Sequence, residues 1–359
     1  MSNLVVDRKR RMFAGKKWFL LAIAAVFALA PAAPAQQGED EPLLDELRST
    51  FQKKYLTLGA LLQTTADFQF DRSQPGQNGF SIANMRLRLS GEFDQGFGYL
   101  LQTNFTKSPA ILDAKMYYRL TPDMIIDGGL FKAPFSRELL TGAGNLDFVN
   151  RSRVVTVLSP ARQIGVQLRG DAAEGSLNYG FGVFNGNSFA GNVNDSDELM
   201  FVARLALLPA AFSGPEPNDQ LEVAINLAYS EDDNAALGGG FLPGFSGNRG
   251  LFGLDARYTR GRLLVAAEMI AARLDPDVGS RQEPFGWHIT GGYMLTPTSQ
   301  LLFRWDRLDG DDIQDRTDLL ILGYNLWPTT PTQMRVNYVI PTDGDVANHQ
   351  LLVGAQLSF

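Results

Sequence analysis

Cysteine is absent from the 359-residue sequence, which excludes disulfides, thiolate nucleophiles and cysteine-ligated metals. Histidine is almost absent: His288 and His349 are the only two, thin material for a zinc site or for imidazole catalysis. No EF-hand spacing and no phosphate-cradling glycine loop occur; the glycines at 238–240 are not followed by Lys-Ser or Lys-Thr. Basic residues are outnumbered, 32 Lys and Arg against 39 Asp and Glu, so no broad basic surface is available for nucleic acid. Long apolar runs are missing as well. The longest, Trp18 to Ala30, falls short of the ~20 residues a spanning helix needs. What the chain has in plenty is Gly (36), Phe (24) and Tyr (10), a composition of turn-rich β structure and not of a disordered chain.

The first residues have the form of an export signal. Arg8 to Arg11, Lys16 and Lys17 make a positive start, Trp18 to Ala30 an apolar core, and Ala33-Pro34-Ala35 a small-x-small cleavage site. Residues 1–35 are therefore expected to be a signal peptide; an uncleaved anchor is the competing reading, disfavoured by the short core. Residues 36–54 form a polar periplasmic segment with Leu43, Leu44, Leu47 and Phe51 at helical spacing, a short helix or a tail. Residues 55–359 are one domain.

Within that domain, segments of about ten residues alternate apolar and polar between turn residues, the mark of a transmembrane β-barrel. Met85, Leu87, Leu89 and Phe93 alternate with Arg86, Arg88, Ser90 and Glu92; Met334, Val336, Tyr338 and Ile340 alternate with Arg335 and Asn337. The last strand places Leu351, Val353, Ala355, Leu357 and Phe359 on one face. A soluble sandwich also alternates. The export signal, the long series of hairpins and the terminal Phe favour the membrane form. Strands are predicted at 55–70, 79–93, 96–106, 111–120, 123–133, 162–170, 176–186, 198–208, 219–230, 251–259, 262–273, 285–296, 299–308, 316–326, 332–340 and 347–359. The fold class is thus all-β, a 16-stranded antiparallel transmembrane barrel, an even strand count as such barrels require. Alternate connections are tight Pro- or Gly-marked turns, as at Thr121-Pro122-Asp123 and Thr296-Pro297-Thr298, expected on the periplasmic side, with the stretch from Pro209 to Asp219 longer than that pattern calls for. The long connections 134–161, 187–197, 231–250 and 274–284 are the expected outer loops. Tyr55, Tyr229, Tyr258, Tyr293, Trp327 and Phe359, near strand ends, suit interfacial girdles.

Sixteen strands enclose an aqueous channel, whereas eight fill their interior with side chains. The predicted inner wall carries Arg86, Arg88, Lys115, Arg119, Lys132 and Arg169, then Arg204, Arg257, Arg304 and Arg335; the third outer connection adds Arg137, Arg151, Arg153 and, at its exit, Arg162. Opposing them are Glu92, Asp113, Asp127, Asp255, Glu268 and Asp306, with Glu138 and Asp147 in the third loop. Basic charge thus exceeds acidic charge in the lumen although the whole chain is acidic, an arrangement that attracts anions in a narrow pore. For each arginine, bracing the wall against a carboxylate such as Asp127 or Asp306 competes with a role in transport.

The runs Asp113 to Tyr118, Gly128-Gly129-Leu130-Phe131-Lys132-Ala133-Pro134-Phe135-Ser136, Arg151-Ser152, Pro160 to Gln167 and Gly182-Val183-Phe184-Asn185-Gly186, in this order and spacing, resemble the phosphate-selective porin O and P family. The resemblance is densest from about 80 to 190 and continues more weakly to the terminal Phe. It implies a trimeric outer-membrane porin whose third loop folds into the barrel, with a basic eyelet and a ladder of lumen arginines. The third loop here carries arginines and no lysine, so the lysine part of that eyelet is not evident in the sequence. The implied function is passive diffusion of small solutes, with anions preferred and phosphate-like anions among them. A general or sugar-type porin with structural arginines, and a non-conducting adhesive barrel, are the alternatives. No cofactor is expected, and the partners are outer-membrane lipid, small inorganic or organic anions and two further copies of the chain. Catalysis is disfavoured: His288 and Thr290 share a face, but no Ser lies two residues from either histidine. The acidic stretch Asp309 to Asp315 reads as a solvated loop, with weak divalent-cation binding the alternative.

Overall fold

Side chains on a strand point alternately to its two faces, so alternation in the sequence becomes an inside and an outside. The computed structural model describes residues 52–69, 78–106, 111–187, 194, 197–216, 219–238, 241–313, 315–342 and 346–359. The expected signal segment 1–35 and residues 36–51 lie outside them. Sixteen long strands run in chain order: β1 (Leu56–Gln69), β2 (Gly79–Glu92), β3 (Phe97–Asn104), β4 (Ile111–Thr121), β5 (Met124–Lys132), β6 (Arg162–Ala172), β7 (Leu177–Phe184) and β8 (Met200–Leu207), then β9 (Gln220–Leu237), β10 (Leu242–Arg260), β11 (Leu263–Pro276), β12 (Phe285–Thr296), β13 (Ser299–Asp309), β14 (Thr317–Thr329), β15 (Thr332–Pro341) and β16 (Gln350–Ser358). Each pairs antiparallel with the next, and β16 returns to β1 with Leu351 opposite Phe68, so the barrel closes and leaves no open edge among these strands. A two-residue strand, Gln52–Lys53, pairs onto the start of β1.

The alternation sorts as the sequence predicts. On β13, Leu301, Phe303 and Trp305 are exposed on the outer surface while Gln300, Arg304 and Asp306 are buried on the inner one. One expectation is overturned. The predicted outer loop 231–250 is strand over most of its length: β9 continues to Leu237 and β10 begins at Leu242. The cause is the inward pair Asp232–Arg249, 2.8 Å apart across the hairpin, with Ser230 also accepting from Arg249. These polar residues keep the period-2 pattern going on the inner face, and Gly and Pro are taken up within the hairpin.

The β5–β6 connection, residues 133–161, folds inward. It contains two short helices, α1 (Arg137–Leu140) and α2 (Arg153–Leu158), each capped by a serine: Ser136 accepts from the Leu139 N–H and Ser152 from that of Val155. Ser136 holds φ at +61°, a strained region for a residue with a Cβ, and its own N–H is fixed by Asn226 of β9 at 3.0 Å. Val154, Val155, Val157 and Leu158 of α2 are buried against Phe184, Met200, Val202, Ala228, Leu251 and Ala272, which face inward from β7 to β11. An apolar core therefore fills the lumen at this level, beside a polar cavity of about 410 Å³ between the loop and β10 to β13 that is lined by both acidic and basic side chains. Glycines on the wall let the plug approach: a Cβ on Gly286 would lie 2.9 Å from Val154, and one on Gly323 would lie 3.0 Å from the Phe148 ring.

Candidate functional site

Polar groups fix the loop between the two halves of the lumen. Against β9 to β15, the Glu138 N–H donates to Glu268, the Val149 N–H to Asn337 at 2.7 Å and the Arg153 N–H to Asp306 at 2.8 Å. Ion pairs add to this: Glu138 with Arg304 at 2.7 Å, Asp147 with Arg257 at 2.6 Å, and Arg137 with Glu222. Phe148 lies under the Arg304 guanidinium, 4.3 Å from ring centre to Cζ. From the opposite wall, Gln63 and Gln356 reach the carbonyls of Ala143 and Gly144. Burial by itself would raise the Glu138 carboxyl, but the Arg304 charge and hydrogen bonds from Ser152 outweigh it and bring the pKa down to about 2.

On the far side from the apolar core, the loop faces β1, β2, β15 and β16 across a cavity of about 560 Å³. Arg86, Arg151, Arg153, Arg162 and Arg335 line it, and no carboxylate does. A second cavity of about 440 Å³ lies toward the short turns, lined by Lys54, Arg88, Lys115, Arg119 and Arg169 with Glu92 as the one acid.

The lumen cations divide into two groups. Lys115 and Arg169 share Asp127 at 2.8 and 2.6 Å, Arg162 takes Asp113 through two bonds of 3.2 Å, and Arg119 takes Glu92 at 3.1 Å. Arg204 holds Glu222 and Asp255 together. These brace the wall. Arg86, Arg88, Lys132, Arg151, Arg153 and Arg335 have no carboxylate within ion-pair distance among the described residues. Arg86 donates to the Asn84 amide, Arg151 to the carbonyls of Glu138 and Thr141, and Arg335 to Gln333, Gln356 and the Gly144 carbonyl. The Nε atoms of Arg153 and Arg335 are buried without an acceptor. Burial lowers the pKa of Arg151, with Glu138 opposing and Arg162 reinforcing the shift. Positive charge without a counter-ion beside it is thus concentrated on the open side of the loop.

A family model, Phosphate-selective porin O and P, matches residues 59–352. The chain belongs to that family. It is an outer-membrane porin. The solved structures support the fold at low identity: the anion-selective porin from Comamonas acidovorans is 15% identical with a TM-score of 0.62, covering 85% of this chain and 99% of that one. OmpT of Vibrio cholerae in its trimer form is 12% identical with a TM-score of 0.61, covering 85% and 99%, and the outer membrane channel DcaP of Acinetobacter baumannii 12% with 0.58, covering 85% and 97%. Among curated proteins none matches the sequence.

Every basic residue assigned to the lumen or the third loop from the porin's sequence lies on the inner wall or the inserted loop, but they do not act together. Arg137 faces Glu222 and lies against the wall, so it is no part of the open side. Asp306, a candidate partner for a lumen arginine, accepts the Arg153 backbone N–H. Glu222 was missed, although its alternation with Ala224 and Asn226 marks it as inward. The lysine missing from the third loop has a counterpart: Lys132, the last residue of β5, donates to the loop carbonyls of Leu140 and Thr141 at 3.2 and 2.9 Å. His288 is buried behind the plug, 3.5 Å from the Thr290 hydroxyl and 3.8 Å from Glu138. Arg304 Nε donates to that same Thr290 hydroxyl, so it is a structural partner and no activated nucleophile. His288→Ala is expected to leave single-channel conductance and ion selectivity within about 20% of wild type; a larger change in either would place His288 on the permeation path. Among the described residues, no three acidic or imidazole side chains converge on a metal site, around Asp309 to Asp312 included.

Proposed function

We propose that the porin passes small anions by passive diffusion along the open side of loop 133–161. One observation carries this reading: a cavity lined by five arginines and no carboxylate, in a chain with more acidic than basic residues. The field in such a constriction favours anions and repels cations. Guanidinium forks donate two parallel hydrogen bonds to one oxyanion, which suits phosphate-like solutes. The anion-selective porin from Comamonas acidovorans, of similar fold, agrees with this reading. On this reading residues 1–35 are removed on export, the short turns face the periplasm, and three copies assemble in the membrane, as the trimer form of OmpT does.

The test is the reversal potential of the mature protein in a planar bilayer under a tenfold potassium chloride gradient. The expected sign is that of chloride permeation, and replacing chloride by phosphate should keep it. Equal or potassium-favoured flow would return all the lumen arginines to a bracing role.

A further inference from the structure

The outer surface of the barrel is indented where its wall is apolar on both faces. From β7 to β11 the inward residues pack on the plug, and the outward ones line a groove of about 1080 Å³ on the membrane side. Its shape comes from residue size. Ala203, Gly250 and Ala271 form the floor, between the bulkier Phe201, Tyr229 and Phe252 on paired positions of the neighbouring strands. The groove ends at the loop end of the barrel on Arg273, with Glu283 beside it. Arg273 and Arg281 both donate through Nε to the single carboxylate Asp275, and both side chains are half exposed. Each guanidinium therefore presents further N–H donors to an acceptor outside the protein. The rim is electrically balanced, two arginines against Asp275 and Glu283. It suits a headgroup with strong acceptors and with donors, and not a bare anion.

We propose that this groove seats one lipid A molecule of the outer leaflet. Its acyl chains run along the floor, a phosphate takes the free donors of Arg273 and Arg281, and the sugar hydroxyl and amide groups face Glu283. The apolar occupant follows from the groove's place on the lipid-facing surface. The phosphorylated sugar follows from the paired donors and acceptors at its outer end. The assignment rests on the orientation proposed above, but not on what the channel conducts.

Native mass spectrometry of the folded protein with purified lipid A tests it. A Cβ on Gly250 meets no atom within 4 Å, so Gly250→Trp fills the groove without an internal clash. Gly291, equally open and facing outward between Val265 and Phe303, makes the matched control outside the groove. Wild type and Gly291→Trp are expected to retain one lipid A per chain. Gly250→Trp and Arg273→Ala/Arg281→Ala should each bind about tenfold more weakly, roughly 1.4 kcal/mol. Retention by Gly250→Trp at the wild-type level would overturn the seat. Unchanged retention by the double arginine variant, or equal retention of phosphatidylethanolamine, would overturn the headgroup assignment. Heat-shifted mobility of each variant on a denaturing gel reports that the barrel has folded, and bilayer conductance, expected unchanged, separates this outcome from failure of the anion reading.

Discussion

Arg86→Ala/Arg153→Ala is expected to reduce the chloride-to-potassium permeability ratio roughly tenfold while leaving the barrel intact. Both side chains line the cavity without a carboxylate partner among the described residues, and neither holds the loop in place: Arg86 donates to Asn84, and Arg153 is anchored through its backbone N–H to Asp306. A charge about 4 Å from a permeating ion is worth roughly 1 kcal/mol in water, and salt screening brings each of the two to about 0.7 kcal/mol. Their joint loss therefore approaches a factor of ten. The contrasting variant is Arg162→Ala, whose charge Asp113 already offsets. Removing it leaves that carboxylate unpaired beside the cavity, so its effect should match the double variant's in sign while its cause is different; adding Asp113→Asn should restore most of the ratio. Reversal potentials for these variants read the result. A double variant as anion-selective as wild type would show that Arg86 and Arg153 do not face the permeating ion.

The arginines were legible in the sequence because inward direction follows from strand period alone, and charge at a period-2 position marks a hydrated face. Which of them are free was not. Their partners come from distant parts of the chain, Glu222 reaching Arg137 across 85 residues and Asp147 reaching Arg257 across 110. No local rule pairs such residues. The plugged half of the lumen escaped for a related reason. Phe184, Met200, Val202, Ala228, Leu251 and Ala272 face inward yet are apolar, because they meet α2 and not water. On a barrel wall, two-sided apolarity reads as weak alternation and conceals a core. The β9–β10 hairpin shows the converse error. Its Gly, Pro and Asp residues imitate a loop, while the cross-strand Asp232–Arg249 pair that keeps it in strand form appears only once the register is known.

Glu138→Ala is expected to loosen the inserted loop without expelling it. The carboxylate is the counter-charge of Arg304, a side chain only 2% exposed, and it accepts from the N–H and hydroxyl of Ser152 at 2.9 and 2.6 Å, tying α1 to α2. Truncation leaves a buried cation unpaired, a cost of about 3–5 kcal/mol. The apolar packing of α2 keeps the loop inside the barrel, so the expected signature is a larger, noisier open-channel current with reduced anion preference, and not an unfolded protein. Acid should produce the same change in wild type. A carboxyl held at about 2 in the fold, below its ordinary 4.5, contributes about 3 kcal/mol that is fully present above pH 4.5 and is lost as pH falls toward 2. Current noise should therefore stay flat from pH 7 to 5 and rise below 4.5, and in Glu138→Gln that acid-dependent rise should be absent. A wild-type transition between pH 5 and 7 would assign the control of the loop to a different group.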